Sequence, residues 1–390
     1  LKYKDGARPY QEEAYKAWVE NGKQGIFAMA TGTGKTITSL NCALHEYNED
    51  KFYNLLILVP SLDLVAQWQE ELKGFNFKKS INVSSQNASW RKELMDISQK
   101  VKRKKTVNYA IVSTYDSFVN KDFQYLLPIL SENMILIADE AHNIGGKSVK
   151  ECFRNLKVRR RIALSATPER IYDEEGSKDI ASFFNDSHPY VYSFPMSKAI
   201  NEGRLCKYYS KLAYLNDGEM RLYSRISKRL AQLWDSENGK FKNKQEAEML
   251  LMNRKRIIHK CSDKLNVFRE IISEIGKDDL RYTFVYAPQG KYEKMGIDDE
   301  VTLTEEDDMS FIQRLLNEAK MMYPNKRCNT FTGMDSKDKR SLLLKSFADG
   351  NLDILFAMKC LDEGVDIPRA ERGIFTSSTG NPREFIQRRG

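Results

Sequence analysis

Short apolar, β-rich runs alternate with amphipathic helical stretches along most of this chain, and that alternation constrains its fold more than any other feature. Strands that alternate with helices pack as parallel sheets with helices on their faces. Residues 25–29, 54–59, 109–113, 134–138 and 161–164 read as strands of a first sheet. Segments 36–47 and 61–72 read as helices between them, the second placing Leu64, Val65, Trp68 and Leu72 on one face. Residues 282–286, 328–332, 353–358 and 373–377 repeat the strand pattern. Between the two sets, Leu222, Tyr223, Ile226, Leu230, Leu233 and Trp234 recur at helical spacing with Lys and Arg among them. A helical insertion or connector is therefore expected over about 216–275. The acidic stretch GIDDEVTLTEEDD, 296–308, reads as a solvated loop. The expectation is an α/β protein of two parallel-sheet domains, 1–200 and 201–390, with the insertion in the second.

At 390 residues the chain exceeds one small core, and 41% hydrophobic with 30% charged content excludes a disordered segment. No apolar run approaches the ~18 residues needed to cross a bilayer, so no membrane partner is expected. No signal-peptide pattern opens the sequence. The 6 cysteines are scattered without a C-x-x-C pair and read as thiols of a reducing cytoplasm, the expected localisation. Four histidines argue against a His-rich metal centre. The excess of 62 basic over 54 acidic residues, +8, permits a polyanionic partner without requiring one. A start at Leu1 and a stop directly after Arg388 and Arg389 suggest that the sequence continues on both sides.

MATGTGKTIT, 29–38, falls between a strand and a helix, as a phosphate-binding loop must. Thr31, Gly32, Thr33 and Gly34 let backbone N–H groups wrap a triphosphate, Lys35 reaches its β and γ phosphates, and Thr36 offers a hydroxyl to Mg²⁺. The strict pattern wants glycine where Met29 stands, but that position ends the strand and its side chain can point away. ILIADEAH, 135–142, ends a strand in two carboxylates at the edge where parallel sheets bind ligands. Asp139 suits Mg²⁺ and Glu140 suits polarisation of the attacking water. Taken alone this is equally a solvated acidic turn; the upstream loop favours the chemical reading. In ALSATPER, 163–170, Ser165 and Thr167 either relay the state of the acidic strand end or cap a helix.

MATGTGKT, DEAH and SAT, in this order, resemble the superfamily 2 helicases and translocases with a DEAH-type motif II. RPYQEEA, 8–14, resembles the Q motif, which implies Arg8 and Gln11 at the adenine. LVPSLDLVAQWQEEL, 58–72, resembles motif Ia, and VSTYDSF, 112–118, the next nucleic-acid-contacting motif. Residues 331–368, FTGM through EGVDIP, are similar to motifs IVa and V, and NPREFIQRRG, 381–390, to the opening of motif VI. SATPER, AINEGRL and EGVDIP with QRRG look closest to the type III restriction-subunit-like branch, whose members favour DNA. TPERIYDEE lacks the R-E-D triplet of the related repair branch, and Gln387 stands where DEAD-box RNA helicases place histidine.

The resemblance implies two RecA-like domains, ATP with Mg²⁺, and a coupling role for His142 beside Ser165 and Thr167. Gly364 and Asp366 would sense nucleotide and DNA, and Gln387 and Arg388 would approach the triphosphate. The family's arginine finger would follow Gly390, so a chain truly ending there is expected to bind ATP well and hydrolyse it poorly. Pro60, Ser61, Thr114, Thr332, Gly333 and Met358 resemble contacts to a nucleic-acid backbone. KVKRKK, 100–105, reads as solvated charge rather than a basic patch, and Trp68 and Trp90 as core rather than base-stacking residues. The implied function is an ATP-dependent translocase or helicase on DNA, the motor of a restriction or anti-phage system. A nuclease or other effector would lie on another domain or subunit. An RNA-directed helicase or duplex-RNA sensor shares the core motifs, and a nucleotide-gated scaffold is a third reading, opposed by the intact Lys35, Asp139 and Glu140.

Overall fold

The computed structural model describes residues 6–131, 133–145, 147–169, 173–235, 240–287, 306–333, 335–358 and 369–376. They form two units that part between Lys207 and Tyr208.

The first unit is built on seven parallel strands: β1 (Gln24–Met29), β2 (Asn54–Val59), β3 (Ser80–Val83), β4 (Tyr109–Thr114), β5 (Ile135–Asp139), β6 (Arg160–Ser165) and β7 (Tyr192–Phe194). Their order is β3-β4-β2-β5-β6-β1-β7. The inner strands are apolar without alternation because both faces are covered. Leu56, Leu58, Leu136 and Ala138 pack into one core, while Leu55, Ile57, Val59, Ile135 and Ile137 pack into the other. Register brings the carboxyl ends to one edge: Thr114 pairs with Val59, Ala138 with Leu58, Leu164 with Asp139 and Ser165 with Ala28. The expected central strands are present. The two edge strands, β3 and β7, lack a continuous apolar run, since only alternate residues are buried.

In the second unit the helical stretch divides by role. Helices Asp217–Leu233 and Lys244–His259, with the short antiparallel pair β8 (Trp234–Asp235) and β9 (Lys240–Phe241), enclose their own cluster of Ile226, Leu230, Leu233, Ala247, Leu250 and Ile257. Helix Asp263–Ile275 instead lays Phe268 and Ile272 on the second sheet. That sheet is parallel and comprises β10 (Thr283–Ala287), β11 (Cys328–Phe331), β12 (Ile354–Met358) and β13 (Arg372–Phe375), in the order β11-β12-β10-β13. Residues 296–305 of the acidic stretch lie outside the described residues, and its end differs from the loop reading. Glu306, Asp307 and Asp308 open helix Glu306–Met322. Among the described residues no helix is long and apolar enough to cross a membrane.

β12 shows why this sheet needs both layers. Phe356 is fully buried, its ring 6.1 Å from that of Phe268, while neighbouring Leu355 joins the opposite core. Phe356→Ala is expected to destabilise the second unit by roughly 3–5 kcal/mol. A denaturant titration showing a loss under about 1 kcal/mol would contradict a strand covered on both faces.

Candidate functional site

β1 delivers the phosphate-type loop. Met29 is 0% exposed in the core, so its side chain leaves the loop free, as the missing glycine requires. The Ala30 N–H donates to the Phe194 carbonyl at 3.0 Å, fastening the loop to β7. Buried Thr33 donates its hydroxyl to the Ala30 carbonyl at 2.6 Å, and Tyr10 donates its hydroxyl to the Thr33 carbonyl at 2.7 Å. Gly32 and Gly34 adopt φ of 79° and 83°, which only glycine accepts without strain. A Cβ at Gly34 would lie 3.6 Å from Gln11 Nε2, an ordinary contact, so the backbone conformation rather than lack of space calls for glycine there. Helix Lys35–Asp50 begins at once, so its unpaired N–H groups and positive dipole end face the loop. Among the described residues the buried Thr31 hydroxyl has no hydrogen-bond partner, and a phosphate oxygen could satisfy it.

β5 delivers the carboxylates. Asp139 is 7% exposed; its Oδ2 accepts from Trp68 Nε1 at 2.9 Å and its Oδ1 from the Glu140 N–H at 3.0 Å. Burial raises its pKa above the ordinary carboxylate value, and the Lys35 charge and the Trp68 hydrogen bond pull the other way. Glu140 follows with φ of 46°, a left-handed conformation that costs a non-glycine residue about 1–3 kcal/mol. The turn is held by the Asn143 N–H and side-chain amide, each donating to the Glu140 carbonyl at 2.9 Å. It aims the carboxylate into the site: Oε1 lies 3.7 Å from Lys35 Nζ and Oε2 lies 3.4 Å from His142 Nδ1. Ser165 Oγ stands 3.5 Å from His142 Nδ1 and accepts the Thr167 N–H at 3.1 Å. Lys35, Glu140, His142, Ser165 and Thr167 thus form a continuous run of contacts.

The donor types suit Mg²⁺, and Thr36 and Asp139 are the residues that could hold it. Half-buried Thr36, the second residue of its helix, supplies a hydroxyl, and Asp139 a carboxylate whose burial makes nearby positive charge favourable. Arg8 caps helix Pro9–Glu20, donating its N–H to Gln11 Oε1 at 2.9 Å and Nη1 to the Tyr10 hydroxyl at 3.2 Å. Both candidate adenine residues therefore border the loop through Tyr10 and Gly34. Gly364, Asp366, Gln387 and Arg388 lie outside the described residues.

The candidate nucleic-acid contacts divide by accessibility. Pro60 and Ser61 are exposed after β2, with Ser61 capping helix Leu62–Gly74. Thr114, at the end of neighbouring β4, is buried and accepts the Ser117 N–H at 3.1 Å. Gly333 is exposed after β11. Thr332 is buried, with its N–H and hydroxyl both on Asp335 Oδ2 at 2.7 and 3.0 Å, and Met358 packs in the core. Pro60, Ser61 and Gly333 are therefore the accessible members of the set. Lys100 and Lys102 finish helix Trp90–Lys102, where cations favour its dipole, and Arg103–Lys105 are exposed. Trp90 is core, its ring 5.9 Å from Phe123.

Two site residues escape sequence reasoning. Tyr10 lies between the Q-motif residues yet holds the loop itself, and Trp68 is core, as read, while also bonding Asp139. The available signal was that a buried hydroxyl or indole N–H must find an acceptor.

Residues 4–170 match the family described as type III restriction enzyme, res subunit, and residues 301–390 match the helicase conserved C-terminal domain. The chain is 26% identical over 398 residues to the DNA 3'-5' translocase XPB2 of Sulfurisphaera tokodaii, covering 100% of this chain and 79% of that protein. It is 25% identical over 209 residues to the type I restriction enzyme SsaAORF53P endonuclease subunit of Staphylococcus saprophyticus, covering 51% of this chain but 21% of that subunit. The crystal structure of the Pyrococcus furiosus Hef helicase domain superposes with a TM-score of 0.57 at 17% identity, over 98% of this chain and 92% of that one, a likeness of fold. Two parallel-sheet units, together with these two matches in succession, imply an ATPase of the superfamily 2 helicase and translocase type.

Proposed function

We propose that this chain is the ATP-driven motor of a DNA translocase or helicase. The observation that carries the reading is the shared edge of the first sheet. The Lys35–Glu140–His142–Ser165 run and the exposed Pro60–Ser61 segment both lie at strand carboxyl ends, with β5 and β2 directly paired. Lys35 neutralises phosphate charge, and the loop amides behind Gly32 and Gly34 hold the triphosphate in place. Glu140, fixed by its left-handed turn, orients and polarises the attacking water. Mg²⁺, held by Thr36 and Asp139, would supply neutralising charge on the phosphates. His142 and Ser165 link Glu140 to the segment after β6, so a change at the carboxylate can reach Thr167.

DNA is favoured over RNA because the relatives named above are a DNA translocase and a restriction endonuclease subunit. The likeness to the restriction endonuclease subunit supports a restriction or anti-phage role, with a nuclease or other effector on a separate domain or subunit. The activity, substrate and partners of the whole protein rest on this reading. Duplex DNA should stimulate ATP hydrolysis by the full-length protein more than RNA of equal length; stronger stimulation by RNA would overturn the choice. Glu140→Gln should lower the turnover number by about 10²–10⁴ while leaving nucleotide affinity within a few-fold of wild type. Turnover that survives the substitution would remove Glu140 from the chemistry.

A further inference from the structure

We propose that Trp68 is a positioning residue for Asp139, holding that carboxylate in the orientation that receives the divalent cation. The proposal rests on the reading of Asp139 as a metal ligand. Trp68 is 1% exposed on helix Leu62–Gly74, wedged with Val65 and Leu72 into the core against β2 and β4. Its single polar atom, Nε1–H, donates to Asp139 Oδ2 at 2.9 Å, and the Glu140 N–H takes Oδ1 at 3.0 Å. Each carboxylate oxygen therefore spends one lone pair on a protein donor, which fixes the plane of the group and leaves the other lone pair on each oxygen for a cation. The Asp139 carbonyl is held as well, accepting the Tyr115 hydroxyl at 2.8 Å, so backbone and side chain are anchored from separate elements.

An indole is suited to this task. It has two rotatable bonds, both immobilised by packing, and its donor cannot follow the carboxylate if that group turns. Donors behind a metal ligand commonly contribute about 10–100-fold in metal affinity. A tryptophan serving only as core filler would be replaceable by phenylalanine, which keeps an aromatic ring and lacks the N–H.

The test is Mn²⁺ affinity of the nucleotide-bound full-length protein, followed by electron paramagnetic resonance. Trp68→Phe should weaken Mn²⁺ binding by about 10–100-fold and leave metal-free nucleotide binding unchanged. Val65→Ala, which disturbs the same packing but keeps the indole N–H, should leave Mn²⁺ affinity near wild type. Asp139→Ala should lose the site, and adding Trp68→Phe to it should change nothing further. Equal losses from Val65→Ala and Trp68→Phe, or an unchanged affinity in Trp68→Phe beside a loss in Asp139→Ala, would overturn the proposal. Retention of Mn²⁺ by Asp139→Ala would instead defeat the underlying assignment of the ligand. A second measurement needs no substitution at Trp68. In ¹⁵N–¹H spectra one indole signal should shift when Mg²⁺ joins the bound nucleotide, and should leave its position in Asp139→Ala. The absence of any responding indole would overturn the proposal.

Discussion

A strand buried on both faces can present chemistry only at its ends. Leu55–Val59 and Ile135–Ala138 are covered above and below, so no polar side chain is tolerated along them. The parallel register then gathers every strand's carboxyl end on one edge, bringing together the loop after β1, the acidic pair at the end of β5 and the serine that ends β6. The site is thus a consequence of how the sheet is covered. The same constraint shapes the second unit, where Thr332 and Met358 fall at the carboxyl ends of adjacent β11 and β12.

Within that edge the charges are arranged at some cost to the fold. Asp139 is buried enough for desolvation to raise its pKa, and Glu140 holds a backbone conformation that a carboxylate residue seldom adopts. Both costs are localised where charge must be met: Lys35 lies within 3.7 Å of Glu140, and the indole of Trp68 bonds Asp139. Strain and desolvation concentrated on two adjacent residues fit a site organised for a highly charged ligand.

Much of this was legible in the sequence. Central strands announce themselves because burial on two faces demands unbroken apolar runs, and the loop is readable because glycine, lysine and threonine each answer a distinct need of a phosphate. The edge strands β3 and β7 were hidden because one-sided burial leaves short, mixed runs such as Ser80–Val83. Tyr10 and Trp68 were hidden for another reason. Their hydrogen bonds span 23 and 71 residues of chain, and no local pattern encodes such a partner. Resemblance named Thr114, Thr332 and Met358 by position, yet their side chains are committed to capping or packing. Motif position identifies a strand end more securely than it identifies which atoms face a ligand.

The central proposal is that one sheet edge serves both a nucleotide and a DNA backbone and that the two are thermodynamically linked. The direct measurement is the affinity of the full-length protein for a non-hydrolysable ATP analogue with and without saturating duplex DNA, paired with its DNA affinity with and without the analogue. The account predicts two equal ratios, each departing from unity by about 5–150-fold. A nucleotide affinity indifferent to DNA, together with a DNA affinity indifferent to nucleotide, would contradict it.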